Sequence, residues 1–130
     1  MRYSIFFLAL MLPLQSFAET AQCQFSESEC EALSHYQESD QELNQIYQRV
    51  MGKIHSNEFE EYLVPKEEIQ QSLQNAQRAW LQYRDSHCEA YYRLFSGGTS
   101  RNVDRLFCLR QMTIERTILL QKVYLDRDAA

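Results

Sequence analysis

The chain of 130 residues is poor in the two residues that punctuate structure, with three glycines and two prolines. Turn-dense β-architectures draw on both, and no stretch here alternates apolar and polar residues with period two, so a sandwich or barrel is excluded. The sequence also has no glycine-rich phosphate loop, no GxSxG, no HExxH and no CxxC or HxxxH spacing. His35, His55 and His87 are scattered, and the adjacent pairs Glu60-Glu61 and Glu67-Glu68 point to different sides of a helix. Nothing therefore assembles a nucleophile with a base, a carboxylate pair or a metal cluster, and we expect no catalysis, no cofactor and no metal. A zinc site joining cysteines to His35 or His87 would lack the closely spaced ligand pairs that structural zinc prefers.

Long apolar runs are missing too, except at the start. Met1-Arg2 is followed by YSIFFLALMLPL, which is too short to span a bilayer comfortably, and Ser16-Phe17-Ala18 places small residues at −3 and −1 of a cleavage site. Residues 1–18 read as a secretory signal peptide, with the exported chain beginning near Glu19. No cysteine follows the cleavage site directly, which argues against a lipid anchor. The expected location is the periplasm or the exterior, with no membrane attachment after cleavage.

Export places Cys23, Cys30, Cys88 and Cys108 in an oxidising compartment, where they read as two disulfides. Residues 19–130 contain no low-complexity linker and no repeat, and their length suits one domain. Charge is uneven along them. Residues 19–68 carry twelve acidic and three basic side chains, and residues 69–130 carry six and nine. The acidic balance excludes nucleic acid as a natural partner and is compatible with a basic protein.

What remains is helical. Ser26-Glu27-Ser28-Glu29 has capping-box form, and Leu33, Tyr36, Asp40, Leu43, Tyr47, Val50 and Ile54 then recur at spacings of three and four. The first helix is expected to reach about Ser56, or to break near residue 39, where Ser39-Asp40-Gln41-Glu42 could cap a fourth segment. NEFEEYLV adds at most a short turn, and Pro65 suits the first turn of the next helix. That helix runs to about Phe95 with Leu73, Gln77, Trp80, Arg84, Cys88, Tyr91 and Phe95 on one face. Gly97-Gly98 ends it, and Thr99 or Ser100 caps a third helix from about Arg101 to Leu125. The third helix is apolar on two sides, Leu106, Leu109, Met112, Leu120 and Val123 on one and Phe107, Ile114, Ile118 and Leu125 on the other. It should be the most buried element, or one side should be an interface, for which a homodimer is the simplest form. The fold expected is an all-α antiparallel bundle of three main helices, stapled by disulfides.

Antiparallel helices place residues equidistant from their connecting loop side by side. Cys88 and Cys108 are equidistant from Gly98, so of the three pairings open to four cysteines this geometry prefers Cys88–Cys108 with Cys23–Cys30. Asp40 and Arg84 are equidistant from residue 62, inside the first connection. Each charge alone in an apolar seam is costly, and together they can form a bidentate pair. The favoured reading is a buried, register-fixing Asp40–Arg84 pair; the other is an ion pair lining a cleft.

Taken together, Cys30, Asp40, Leu43-Asn44, Tyr47, Gln77-Arg78-Ala79-Trp80, Tyr83-Arg84-Asp85, Cys88, Gly97-Gly98, Cys108, Thr113, Arg116 and Leu120 resemble the LprI-like family of secreted bacterial proteins, named after a mycobacterial inhibitor of c-type lysozyme. The resemblance spans nearly all of residues 19–130 and is most specific in the QRAW–YRD–C block. It implies a small, helical, disulfide-bonded envelope protein that inhibits c-type lysozyme by binding it. The class of alternative is a non-catalytic structural or assembly protein of the envelope, using the spare apolar side of the third helix. Inhibitors of this kind plug a cleft with a protruding loop, and Gly97, Gly98, Thr99 and Arg101, within residues 96–101, form the best candidate. A plain helix–helix turn is the simpler reading of the same residues.

Overall fold

The computed structural model describes residues 23–56 and 63–126. The signal peptide, the expected cleavage site and Glu60-Glu61 lie outside them. Three helices carry the described chain: α1, Glu27–His55; α2, Lys66–Leu94; and α3, Arg101–Leu120, continued by a wider π-type turn over Gln121–Leu125. No strand occurs among the described residues.

The start of α1 follows from its first four residues. Glu29 N–H donates to Ser26 Oγ at 3.3 Å and Ser26 N–H donates to Glu29 Oε2 at 3.2 Å, a complete capping box that satisfies two end donors. The helix does not break at residue 39. Ser39 is buried, and its hydroxyl donates to the Tyr36 carbonyl at 2.7 Å, so the polar side chain is satisfied within its own helix. At the far end, Lys66 Nζ reaches the His55 carbonyl at 3.4 Å, placing a cation where the helix dipole favours one.

Two boundaries differ from the sequence expectation. Pro65 precedes the first turn of α2 instead of occupying it, with an extended ψ of 139° and its carbonyl accepting from Ile69 N–H at 3.3 Å. α2 ends at Leu94 with Phe95 as its cap, close to its expected limit, so the difference at this end is in the cap. Gly97 and Gly98 lie beyond it, and neither adopts the left-handed backbone expected of a glycine C-cap. Of the two candidate caps for α3, Ser100 holds the position, with its hydroxyl donating to Asp104 Oδ2 at 2.7 Å.

Both α1 and α2 pack mainly on α3 and only lightly on each other. The apolar core consequently forms two clusters. One joins Leu43, Ile46, Val50 and Ile54 of α1 to Leu73 and Leu120, with Trp80 packed against it. The other surrounds Cys88, Cys108 and Leu109, with Tyr36, Tyr91 and Met112 at its edge. The buried side of α3 is less apolar than its sequence suggests, because Thr113 and Thr117 occupy it. Their hydroxyls donate back to the carbonyls four residues earlier, at 2.7 and 2.9 Å, which satisfies them without a partner helix. Val123, on the same apolar side as the buried Leu109 and Leu120, is exposed, and Phe107 and Ile118 on the other side are 58 % and 59 % exposed.

The disulfides join Cys88 to Cys108, with Cα atoms 5.7 Å apart, and Cys23 to Cys30, 5.8 Å apart. The first staples α2 to α3, and the second ties the N-terminal segment to the first turn of α1.

Candidate functional site

Between the two apolar clusters stands Arg84, 5 % exposed and in contact with all three helices. Its Nη1 donates to Asp40 Oδ1 on α1 and to Thr113 Oγ1 on α3, each at 3.2 Å. Its Nε donates to Asp85 Oδ1, the next residue on α2, at 2.9 Å. The guanidinium stands over two rings, with its Cζ 5.2 Å from the Trp80 centroid and 5.6 Å from that of Tyr36. The pairing with Asp40 is therefore single, not the bidentate fork anticipated, because Asp85 and Thr113 take the other directions. Arg84 belongs to both readings of the pair: it is buried between the clusters, and it also lines an open groove.

The electrostatics follow from that shell. Burial by itself disfavours the Arg84 cation, but the bond to Asp85, with Tyr36 and Asp40 adding to it, outweighs burial and raises its pKa above the ordinary guanidinium value. Burial raises the Tyr36 phenol, which stays neutral beside the pair. Arg116 stands 5.8 Å from the Trp80 centroid and donates from Nε to Gln77 Oε1 at 3.1 Å, with its pKa lowered by burial. Trp80 thus lies between two guanidinium groups.

The groove lies between α1 and α2, which pack on α3 more than on each other. It encloses about 480 Å³, and of its eleven lining residues only Leu43 and Leu81 lack a polar side chain. Asp40 lies in its wall with 37 % of the side chain exposed, and Asn44 Nδ2 donates to Asp40 Oδ2 at 3.3 Å.

The 96–101 segment is a tight exposed turn. Gly98 N–H donates to the Phe95 carbonyl at 2.9 Å, and Arg101 Nη1 donates to the Ser96 carbonyl at 3.3 Å. The Arg101 guanidinium also stands 5.3 Å from the Tyr92 centroid. Gly97, Gly98 and Thr99 are exposed, whereas Arg101 spends its charge holding the turn to α2. The turn lies where α2 passes to α3, beyond the Cys88–Cys108 bridge.

The sequence pointed to Asp40 beside Arg84 and to a cleft as one setting for the pair, but not to Thr113 and Asp85 as partners of Arg84 or to the residues that line the groove. A signal for Thr113 was present: it lies fifteen residues after residue 98 and Arg84 fourteen before it, so the mirror that pairs the cysteines pairs these two as well. The groove had no such signal, since it depends on the angle between two helices.

These features define a class: a small three-helix protein, stapled by two disulfides and built around one buried arginine. Among the described residues no helix is long and apolar enough to cross a membrane. The family model for the lysozyme inhibitor LprI matches residues 18–120, and the chain belongs to that family. It is also similar to an uncharacterized protein of Rhizobium meliloti (strain 1021), 30 % identical over 90 residues, which is 68 % of this chain and 65 % of that one. The chain thus spans about two thirds of the length of that relative. No solved structure matches it.

Proposed function

We propose that this protein is exported to the periplasm or beyond and inhibits c-type lysozyme by binding it, without catalysing a reaction. The family match over residues 18–120 carries the reading. Charge supports it: c-type lysozymes are basic, and the acidic excess of residues 19–68 favours their approach. The two bridges suit an oxidising compartment. For the contact we favour the exposed turn at Gly97, Gly98, Thr99 and Arg101, which stands clear of the core and can enter a cleft without unfolding anything. The deciding measurement is the activity of c-type lysozyme with the disulfide-bonded protein added. Inhibition is expected, and Thr99→Ala with Arg101→Ala should raise the inhibition constant while leaving the melting temperature within about 2 °C, since exposed contacts are worth little to the fold. Fully active lysozyme at saturating protein removes the reading.

A second reading has its own observation. Phe107 and Ile118 are exposed on one side of α3, with Ile114 between them half-buried, a stripe suited to a homodimer or an envelope partner. Light scattering of the purified protein separates the cases: a stable dimer that Phe107→Asp dissociates, with lysozyme unaffected, favours this role.

A further inference from the structure

The groove between α1 and α2 has features that neither lysozyme binding nor the apolar stripe uses. Its volume falls within the roughly 300–1,000 Å³ of small-ligand sites, and most of its lining residues carry a polar group beside the apolar surface that such sites usually present. The polar groups are of a particular kind. Among the described residues Gln48, Gln74 and Arg78 have no hydrogen-bonding or ionic partner, although they face one another across two helices. Arg116 occupies Gln77 Oε1, which leaves the Gln77 NH₂ group unused. Asp40 keeps an exposed carboxylate whose position is set by Arg84 and Asn44. Planar amides, a carboxylate and a guanidinium each offer two polar atoms at fixed spacing, which matches vicinal hydroxyls. Tyr47 and Leu81 supply apolar surface for the C–H face of a sugar ring. Asp40 and Arg84 cancel in charge, and Arg78 remains at the rim, so no strong field selects a highly charged ligand. The fixed walls matter as well, because Arg84 and its partners hold the floor before any ligand arrives, which lowers the ordering cost of binding.

We propose that this groove is a binding site for a short, neutral oligosaccharide, read by Gln48 and Asn44 from α1 and by Gln74, Gln77 and Arg78 from α2. The site stands apart from lysozyme inhibition and does not depend on it. The probe is N-acetylglucosamine tetrasaccharide, titrated into the isotope-labelled, disulfide-bonded protein and followed by amide chemical shifts. Saturable shifts confined to residues near 40–48 and 74–81 are expected. Gln48→Ala with Gln74→Ala should weaken binding at least about fivefold, given two lost hydrogen bonds, with the melting temperature unchanged because neither side chain has a partner to lose. Cellotetraose, which lacks the acetamido groups, tests whether hydroxyls suffice, and saturable binding of either sugar in the groove supports the site. No saturable shift with either sugar at about 10 mM, shifts centred elsewhere, or a double variant that binds like the wild type would each overturn it.

Discussion

At the scale of single residues the central fact is one guanidinium serving three helices. A buried cation survives only if its donors are used, and Arg84 spends them on Asp40, Asp85 and Thr113 while standing over the Trp80 and Tyr36 rings. Removing it strands the Asp40 and Asp85 carboxylates and opens a hole between the two clusters. Breaking a fully buried pair costs about 3–5 kcal/mol, but both carboxylates here reach solvent, so Arg84→Ala is expected to cost about 2–4 kcal/mol in denaturant unfolding. Asp40→Asn should cost less than half of that, because Asp85 still balances the charge. A variant Arg84→Ala as stable as the wild type, or Asp40→Asn as damaging as Arg84→Ala, contradicts this account. The Asp40–Arg84 pair was legible in the sequence because both residues sit on apolar stripes and at mirrored distances from a loop. Asp85 was not, since adjacent helical residues ordinarily point apart, and only the long arginine side chain turning back makes the bond.

At the scale of elements the two staples act differently. Chain entropy assigns the Cys88–Cys108 bridge about 3 kcal/mol and the shorter Cys23–Cys30 loop about 2.5 kcal/mol. The larger difference is in what is lost. Cys88 and Cys108 belong to a buried cluster, whereas Cys23 is exposed near the described N-terminal limit. Replacing Cys88 and Cys108 by Ala should lower global stability by about 3 kcal/mol, whereas replacing Cys23 and Cys30 should chiefly raise amide exchange in the first turns of α1. Exchange rates mapped along the chain tell these apart, and equal global losses would contradict the distinction. The same first turn carries an acid-sensitive contact. Glu29 bonds to Ser26 and also accepts from Asn102 of α3, and both hold its pKa below the ordinary carboxylate value. A lowered folded pKa means the stabilisation is complete above the ordinary range and disappears as pH falls through the folded value. Protection from exchange at the start of α1, taken relative to the intrinsic rate at each pH, should therefore fall on acidification below about pH 4, and the Glu29→Gln variant should lose that dependence.

For the whole molecule, charge and shape make separate predictions. The acidic first half and basic second half leave a net charge of −5 over the full chain, enough to steer a basic partner at low salt. Association with lysozyme, measured by surface resonance or stopped flow, should slow clearly as the screening length shortens to about 8 Å at physiological ionic strength, with dissociation changing less. Glu60→Lys with Glu61→Lys should also slow association. On-rates indifferent to both salt and charge reversal would remove steering from the account.

The sequence by itself determined the helical class, the capping box at Ser26, the pairing of the cysteines and the meeting of Asp40 with Arg84. Those features are local, or follow from counting residues away from a short antiparallel loop, and neither needs a third dimension beyond the helix period. The tertiary structure decided the rest. Which side of α3 is buried could not be chosen from two apolar sides of similar strength, and packing selected the one where Thr113 and Thr117 satisfy themselves. Glycine at 97 and 98 suggested a left-handed cap, yet the helix ended earlier without one. The groove exists because α1 and α2 both prefer α3 to each other, and the angle between two helices is set by the sum of their packing against a third, a quantity that no single stretch of sequence contains.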